Sequence, residues 1–180
     1  MADARSSLIL AKLNPPIMQA LGILLPSRKY QLEINLREIT VENWLDMINL
    51  EITKEQEDFV ALPSEAIAAS KFYEYYINRG IYLGDKPVGF IQYYPNFRDG
   101  KPKEIFIDQL LIDVEFQGKG YGSAATKLVL EEIKNLSGFD SISICYVEGH
   151  DIMRRFFERF GFKVIEQDEF DETIMELNYA

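Results

Sequence analysis

The chain has 180 residues, 47% of them hydrophobic, and a formal net charge of −10. That length fits one domain with a full core. The acidic balance argues against nucleic acid as the main partner, because phosphate contacts dominate such binding, and no apolar run approaches the roughly 20 residues of a membrane span. One cysteine and one histidine exclude an internal disulfide framework, make a metal site a poor expectation and fit a cytoplasmic location.

The N-terminal segment is set apart from the rest. We expect residues 1–31 to be an extension or arm and residues 32–180 to form the domain. The extension has two apolar stretches, 8–13 and 17–25, separated by Asn14-Pro15-Pro16. It is expected to pack on the domain or on a partner, and the alternative is a partly disordered leader.

Strand and helix patterns alternate through the domain. Residues 32–39 alternate apolar and polar and predict a half-buried strand. Thr40 is expected to cap a helix with an apolar stripe of Val41, Trp44, Leu45 and Ile48, and a second helix is predicted over 64–78. The remaining predicted elements are strands 81–84 and 88–94 around a turn at 85–87, strand 104–112, helix 123–136, strand 141–146, helix 151–160, and strands 162–166 and 173–177. This order predicts one mixed sheet with helices on both faces.

The stretch Gln117-Gly118-Lys119-Gly120-Tyr121-Gly122, called the glycine loop below, lies between an apolar strand and an amphipathic helix. The N–H groups at a helix N-terminus lack intrahelical partners, and the helix dipole favours an anion there. Glycines also allow positive φ and close approach of the backbone. The pattern therefore predicts a pyrophosphate site. No G-x-x-x-x-G-K-[ST] is present, and the glycine spacing does not fit a dinucleotide fold.

The glycine loop resembles the Q/R-x-x-G-x-G/A loop of the GNAT superfamily of acyl-CoA N-acyltransferases. The element order from 32 to 177 and the late Phe160-Gly161-Phe162 are also similar to that fold. The segment from Ile107 to Asp113 looks like the spermine/spermidine acetyltransferase-like branch, where an acidic residue precedes the cofactor-binding end of the strand. The resemblance implies a mixed α/β fold whose mostly antiparallel central sheet is splayed at the cofactor site.

The resemblance implies acetyl-CoA as co-substrate and no metal. Backbone amides of the glycine loop would hold the pyrophosphate, and the end of the preceding strand would pair with the pantetheine amides. That pairing requires strand 141–146 to diverge, which family members achieve with a bulge. The cofactor-binding residues so implied are Leu110, Leu111, Ile112, Gln117, Gly118, Lys119, Gly120, Tyr121, Gly122 and Ser123.

Asp108 is the candidate general base. An amine must lose its proton before it reacts, and its pKa is about 10.4 when free. Asp108 interrupts an apolar strand just before the cofactor site and aligns with the acidic residue of the similar branch, so it could take that proton directly or through water. The alternative is a carboxylate that only binds the cationic amine or caps a loop. Glu104, earlier on the same strand face, is the second candidate.

The acid that would protonate the leaving thiolate is left open. Members of the family usually place a tyrosine where this chain has Phe157, and an asparagine where it has His150. Solvent could suffice, because a thiol has a pKa near 8.5. Tyr146 and His150 are the nearby substitutes. The third possibility is a chain that binds CoA and catalyses poorly.

The acceptor amine is expected to bind between the first two helices, the loop 93–103 and the final hairpin. Aromatic faces and carboxylates in this half suit an alkylammonium group. The aromatic residues are Tyr73, Tyr75, Tyr76, Tyr93 and Tyr94, and the acidic ones are Glu51, Glu55, Glu57, Asp58 and Glu74. We expect acetylation of a primary amine of a small molecule, polyamine-like first. The alternatives are a peptide or protein amine, or a CoA-binding regulatory module. The resemblance also implies a possible homodimer.

Overall fold

The computed structural model describes residues 33–57, 60–97, 100–147, 151–168 and 172–179. The chain divides into two units, Met1–Glu33 and Ile34–Ala180. All the elements described below belong to the second unit. The predicted extension over 1–31 lies outside the described residues, so its structure stays a prediction.

Strands and helices follow one another in the predicted order, β-α-α-β-β-β-α-β-α-β-β, which is therefore confirmed. Two short 3-10 helices, Lys54–Gln56 and Val114–Phe116, lie in the connections. The elements are β1 (Ile34–Glu38), α1 (Trp44–Ile48), α2 (Pro63–Ala69), β2 (Ile77–Leu83), β3 (Lys86–Pro95), β4 (Glu104–Ile112), α3 (Tyr121–Lys134), β5 (Ser141–Val147), α4 (Asp151–Glu158), β6 (Lys163–Gln167) and β7 (Glu172–Asn178).

The strands form one sheet in the order β1-β2-β3-β4-β5-β7-β6. Among the described strands, β4 and β5 are parallel and all other neighbours are antiparallel. Val129 and Ile133 of α3 pack into the core on one face. Met47 of α1 and Ala66 of α2 pack with Leu111 on the other face. The mixed α/β class with helices on both faces is therefore confirmed.

Helix α2 is much shorter than the predicted helix over 64–78. It ends at Ala69, turns follow, and β2 begins at Ile77. The last two residues that were expected to be helical, Ile77 and Asn78, pair instead with Tyr93 and Gln92 of β3. Aromatic and β-branched residues accept either structure, so tertiary pairing decides between them.

The predicted apolar stripe of the first helix is wrong. Val41 is 81% exposed and Leu45 52% exposed, whereas Met47 and Leu50 are buried. The helix spans five residues only, so a helical repeat cannot be extrapolated back to position 41. A turn precedes the helix, and in it the Thr40 N–H donates to Oδ1 of Asn43 at 2.7 Å.

The turn between β2 and β3 is also shifted. It consists of Gly84 and Asp85, and Lys86 already pairs with Leu83. Gly84 has φ 61°, a conformation that glycine adopts without strain. Arg37 of β1 fixes this turn, because its Nη2 donates to the Gly84 carbonyl at 2.6 Å and to Asp85 at 2.8 Å.

Candidate functional site

Asp108 is the extra residue of a β-bulge in β4. Gln92 of β3 pairs with Gln109, and the next residue of β3 pairs with Ile107, so the register passes over Asp108. The next side chain of β4 that packs into the core after Ile107 is that of Leu110, three positions on, whereas a regular strand would place it two positions on. A bulge turns its extra side chain away from the regular alternation and often lies next to an active site. The carboxylate of Asp108 is accordingly exposed.

Strands β4 and β5 diverge at this bulge. They pair over four residues only, and the last pair is Ile107 with Ile144. Strand β4 continues to Ile112, while β5 continues to Val147 and stays paired with β7 over its full length. The edge of β4 beyond Ile107 therefore lacks a β5 partner, as predicted for a splayed sheet.

A cleft of about 160 Å³ lies where the two strands separate. Its walls come from β4, β5, α4 and the segment before α2. Asp108 and Tyr146, two of the three predicted catalytic residues, both line it. Phe157, which takes the place of the expected tyrosine, lines it as well and is 3% exposed. His150, the third predicted catalytic residue, lies outside the described residues.

Tyr94 holds the carboxylate of Asp108. The Tyr94 hydroxyl donates to Oδ1 of Asp108 at 3.2 Å. Burial, and secondly the negative charge of Asp108, raise the pKa of Tyr94 well above its usual value. The hydroxyl therefore keeps its proton and remains a donor. The Tyr94 ring stacks on Tyr76 with centroids 4.1 Å apart and planes 7° from parallel, which fixes the ring as well.

The tyrosines beside this pair contact one another. Tyr76 stacks on Tyr94 at 4.1 Å and on Tyr73 at 5.0 Å. Tyr75 meets Tyr76, Tyr94 and Phe97 edge-on. The Tyr76 ring is thus engaged in stacking with two neighbours, and the expected contact of these tyrosines with an alkylammonium group stays a prediction. Phe97 is 52% exposed, which leaves it at the outer end of the cluster.

Tyr93 and Glu104 belong to the core and not to the cleft. Tyr93 is completely buried, and its hydroxyl donates to Glu132 at 2.7 Å, which also pairs with Arg79 at 2.6 Å. Glu104 is 3% exposed and accepts from Nδ2 of Asn96 at 2.7 Å. It begins β4, four residues before the bulge. The expectations that Tyr93 contacts the acceptor amine and that Glu104 could be the base are wrong.

The glycine loop leads into the N-terminus of α3, a 14-residue helix. Gly118 has φ 71° and Gly120 φ 85°, and no atom lies within 4 Å of the place that a Cβ would take at either residue. Helix N-terminal N–H groups without intrahelical partners, an open surface and a helix dipole together fit an anionic phosphate. Gly122 serves packing instead, because a Cβ there would lie 3.4 Å from Cγ1 of Ile112.

The polar side chains of the glycine loop brace the protein. Nε2 of Gln117 donates to the Ile112 carbonyl and to Oε1 of Gln56, both at 2.9 Å. Nζ of Lys119 donates to the Glu115 carbonyl at 2.7 Å. These side chains therefore shape the loop, and its backbone is what the loop presents to a ligand.

The open edge of β4 offers fewer backbone groups than the sequence suggested. Backbone groups of a strand point alternately to its two neighbours. The Asp113 N–H donates to Val88 of β3 at 2.9 Å, so Leu111 also faces β3, whereas Leu110 and Ile112 face the side from which β5 has departed. The Ile112 carbonyl is already taken by Gln117. Leu110 is thus the residue best placed to pair with an incoming amide.

The segment before α2 is tied to the start of the glycine loop. The Glu51 N–H donates to Oδ2 of Asp113 at 2.9 Å, and the Val114 N–H donates to the Glu51 carbonyl at 2.8 Å. The Gln117–Gln56 bond continues this connection. One wall of the cleft and the expected pyrophosphate site are consequently held by the same set of bonds.

Cys145 lies in the cleft but is held as a neutral thiol. Burial, and secondly the nearby carboxylate of Glu172, raise the pKa of the Cys145 thiol to about 12. The thiolate is the nucleophilic form of cysteine. Cys145 is therefore poorly suited to accept an acyl group at neutral pH.

Sequence reasoning missed Gln109 and Gln56, which both line the cleft. A signal for the first exists, because Asp108 and Gln109 are consecutive polar residues in an apolar strand, and this break in alternation is typical of a bulge. Gln56 carried no such signal, since it lies in a polar connection. In the part of the chain that the structure describes, no helix is long and apolar enough to cross a membrane. Groups of three or more His, Cys, Asp and Glu side chains suited to a metal ion are likewise absent from the described ranges.

Comparison with known sequences matches residues 37–162 to the acetyltransferase (GNAT) family. The spermine/spermidine N(1)-acetyltransferase of Bacillus subtilis (strain 168) is 26% identical over 135 residues, which are 73% of this chain and 89% of that relative. The probable spermine N(1)-acetyltransferase of Bacillus subtilis subsp. natto matches with the same identity and the same coverage.

Solved structures share the fold. The aminoglycoside acetyltransferase AAC(6')-Ib in complex with coenzyme A is 18% identical, with a TM-score of 0.67 over 81% of this chain and 95% of its own. The PaiA N-acetyltransferase of Thermoplasma acidophilum in complex with coenzyme A is 18% identical, with a TM-score of 0.60 over 82% and 99% of the two chains. At these identities the likeness concerns the fold.

Proposed function

Since the chain belongs to the acetyltransferase (GNAT) family and is an acetyl-CoA-dependent N-acetyltransferase, we propose that its acceptor is a primary amine of a small polycationic molecule, with a polyamine first. The observation that carries this proposal is the position of Asp108, an exposed carboxylate that is the extra residue of a bulge and lines the cleft. The names of the two Bacillus relatives support the same acceptor class.

Asp108 acts as the general base in this proposal. Its carboxylate takes a proton from the ammonium group directly or through one water, which leaves the nitrogen lone pair free to react. Tyr94 donates to one carboxylate oxygen and keeps the side chain at the cleft. In the competing role, Asp108 only binds the ammonium group. The kcat and KM of an Asp108→Asn variant separate the two roles.

Acetyl-CoA supplies the acetyl group as an activated thioester. The backbone of the glycine loop and the N-terminus of α3 suit its pyrophosphate, and the open side of β4 at Leu110 suits its pantetheine amides. Holding both reactants in one cleft lowers the barrier by several kcal/mol, because the encounter has been made in advance.

Tyr146 is the proposed proton donor to the departing thiolate. Tyr146 lies on β5, beyond the last residue of β5 that pairs with β4, and lines the cleft. Phe157 has no proton to give, and the neutral Cys145 thiol with its pKa of about 12 is a weak acid. Solvent is the alternative donor, which a Tyr146→Phe variant with unchanged kcat would favour.

Electrostatics favour a cationic acceptor. The net charge of −10 attracts cations over a distance of about 10–30 Å at low salt. A polyamine carries several ammonium groups and gains from this field more than a monoamine does. We expect the KM for such an amine to rise with ionic strength, while the KM for a monoamine changes less.

The proposal is tested by incubating the protein with acetyl-CoA and spermidine, spermine, an aminoglycoside or a peptide with a free amine, and measuring released thiol. We expect turnover with the polyamines at the highest kcat/KM. A preference for the peptide amine would replace the proposed acceptor class. Absence of turnover on every amine, with acetyl-CoA still bound, would overturn the proposed function.

Asp108→Asn tests the base. We expect kcat to fall by about 10²- to 10⁴-fold, and most at low pH, because near the free-amine pKa of about 10.4 the solvent removes the proton unaided. Asp85→Asn is the matched control, since Asp85 is a fully exposed carboxylate on the β2–β3 turn. A rise in amine KM with unchanged kcat would assign Asp108 to binding only.

A cytoplasmic location and a homodimer complete the proposal. The cytoplasm fits the free thiol of Cys145 and the supply of acetyl-CoA. Size-exclusion chromatography with light scattering measures the oligomeric state directly, and a monomer of 20.8 kDa would contradict the dimer.

A further inference from the structure

Gln109 carries a buried polar atom that the fold does not use. Its Oε1 is shielded from solvent, and among the described residues no group hydrogen-bonds to it. Folded proteins pair nearly all such atoms, because a buried acceptor without a donor is costly. Gln109 lines the cleft and follows Asp108 directly. The unused oxygen therefore lies where the proposed chemistry takes place.

The neighbouring strand shows what a structural glutamine does on this sheet. Gln92 of β3 is the register partner of Gln109. It is 1% exposed, and its Nε2 donates to the Ala66 carbonyl at 3.0 Å and to Oδ1 of Asn78 at 2.7 Å. The amide of Gln92 thus holds the fold together, while Oε1 of Gln109 has no partner in the described part of the chain.

The face of the sheet from which Gln109 projects indicates which of the two substrates its Oε1 would contact. Cross-strand partners project from the same face of a sheet, so Gln109 shares the face of Gln92, against which α2 packs through Ala66. The pantetheine arm is expected along the edge of β4 and not on this face. The donor for Oε1 therefore comes from the acceptor amine.

We propose that Oε1 of Gln109 accepts a hydrogen bond from the N–H of the acceptor amine and orients its nitrogen. A neutral primary amine has two N–H donors and one lone pair. Oε1 of Gln109 accepts a hydrogen bond from one N–H, and the other N–H faces Asp108 directly or through water. The lone pair is then left to point at the acetyl group. This inference rests on the proposed function and names a residue that would contact the substrate.

Gln109→Leu is the first test. We expect it to raise the KM for spermidine at least tenfold and to leave the KM for acetyl-CoA within twofold. We also expect its Tm to stay the same or to rise by a few degrees, because the variant removes a buried oxygen that lacks a hydrogen bond among the described residues. Gln109→Glu keeps an acceptor at the same position and should restore the KM for spermidine to within about threefold.

Gln92→Leu is the structural control. It leaves the Ala66 carbonyl and Asn78 without their donor, so its Tm should fall by several degrees. A Gln109→Leu protein that loses stability as Gln92→Leu does, with an unchanged KM for spermidine, would overturn the inference. A raised KM for acetyl-CoA alone would assign the oxygen to the cofactor and would overturn it too. Lack of turnover by the unaltered protein on every amine would instead overturn the proposed function, and this inference with it.

Discussion

The hydroxyl of Tyr94 lies 3.2 Å from Oδ1 of Asp108 across the bulge that interrupts the pairing of β3 and β4. The bulge turns Asp108 toward the cleft, and the stacked, partly buried Tyr94 limits where its carboxylate can go. A flexible exposed carboxylate is thereby held at a defined position, which is what a general base requires.

Tyr94→Phe tests this arrangement. We expect kcat to fall by about three- to tenfold, because the carboxylate loses a hydrogen bond worth about 0.5–1.5 kcal/mol. Tyr93→Phe is the matched control on the adjacent residue. Its hydroxyl donates to Glu132 in the core, so that variant should lose stability and keep its kcat. Equal effects of the two variants on kcat would contradict the assigned role of Tyr94.

The backbone of the glycine loop is tested by Gly120→Ala. Gly120 has φ 85° with open space around it, so alanine costs about 1–2 kcal/mol in conformation and disturbs the loop. We expect the KM for acetyl-CoA to rise about tenfold. Gly138→Ala is the matched control, since Gly138 has φ 93° and equally open surroundings beyond the other end of α3. It should lose similar stability by thermal unfolding without any change in that KM.

Phe157→Tyr asks whether the missing hydroxyl limits the reaction. Phe157 packs edge-on against Phe156 and Phe162 and also borders the cleft. We expect kcat to change by less than about threefold, because Tyr146, which lines the same cleft, is the proposed proton donor to the departing thiolate. A larger gain would show that leaving-group protonation is rate-limiting. Phe162→Tyr, in the core away from the cleft lining, controls for the cost of a buried hydroxyl.

The Cys145 thiol gives a pH-dependent prediction. Its pKa is raised from 9.0 to about 12 by burial first and by Glu172 second, so the folded state retains the proton more firmly than the unfolded chain. Stability is therefore fully present below about pH 9 and falls as the pH rises toward 12. The Cys145→Ala variant should show a shallower loss in chemical denaturation over this range, and an unchanged slope would contradict it.

The same shift predicts low thiol reactivity. At pH 8 the thiolate fraction of Cys145 is far smaller than that of a free cysteine, so alkylation of the folded protein should be markedly slower than that of the unfolded chain. Cys145→Ala should retain acetyl transfer. Loss of kcat in that variant would show that the sulfur takes part in the reaction.

Local patterns were sufficient for much of the molecule. The glycine loop, the apolar strand before it and the amphipathic helix after it identified the family, because the anion site depends on backbone conformation and needs only glycines and a helix start. The bounds of β4 were predicted correctly at both ends, since a buried central strand has a continuous apolar run. Asp108 stood out because a charge in such a run requires a reason.

Tertiary pairing decided the rest. Residues 70–78 carry aromatic residues at helical spacing, yet Ile77 and Asn78 begin β2, because β3 offers hydrogen bonds there. The exposure of Asp108 at the cleft depended on one extra residue in the register. The pairing of Gln117 with Gln56 joins positions 61 residues apart. No local pattern encodes such contacts, because they depend on how distant segments pack, whereas backbone conformation and alternation are properties of neighbouring residues.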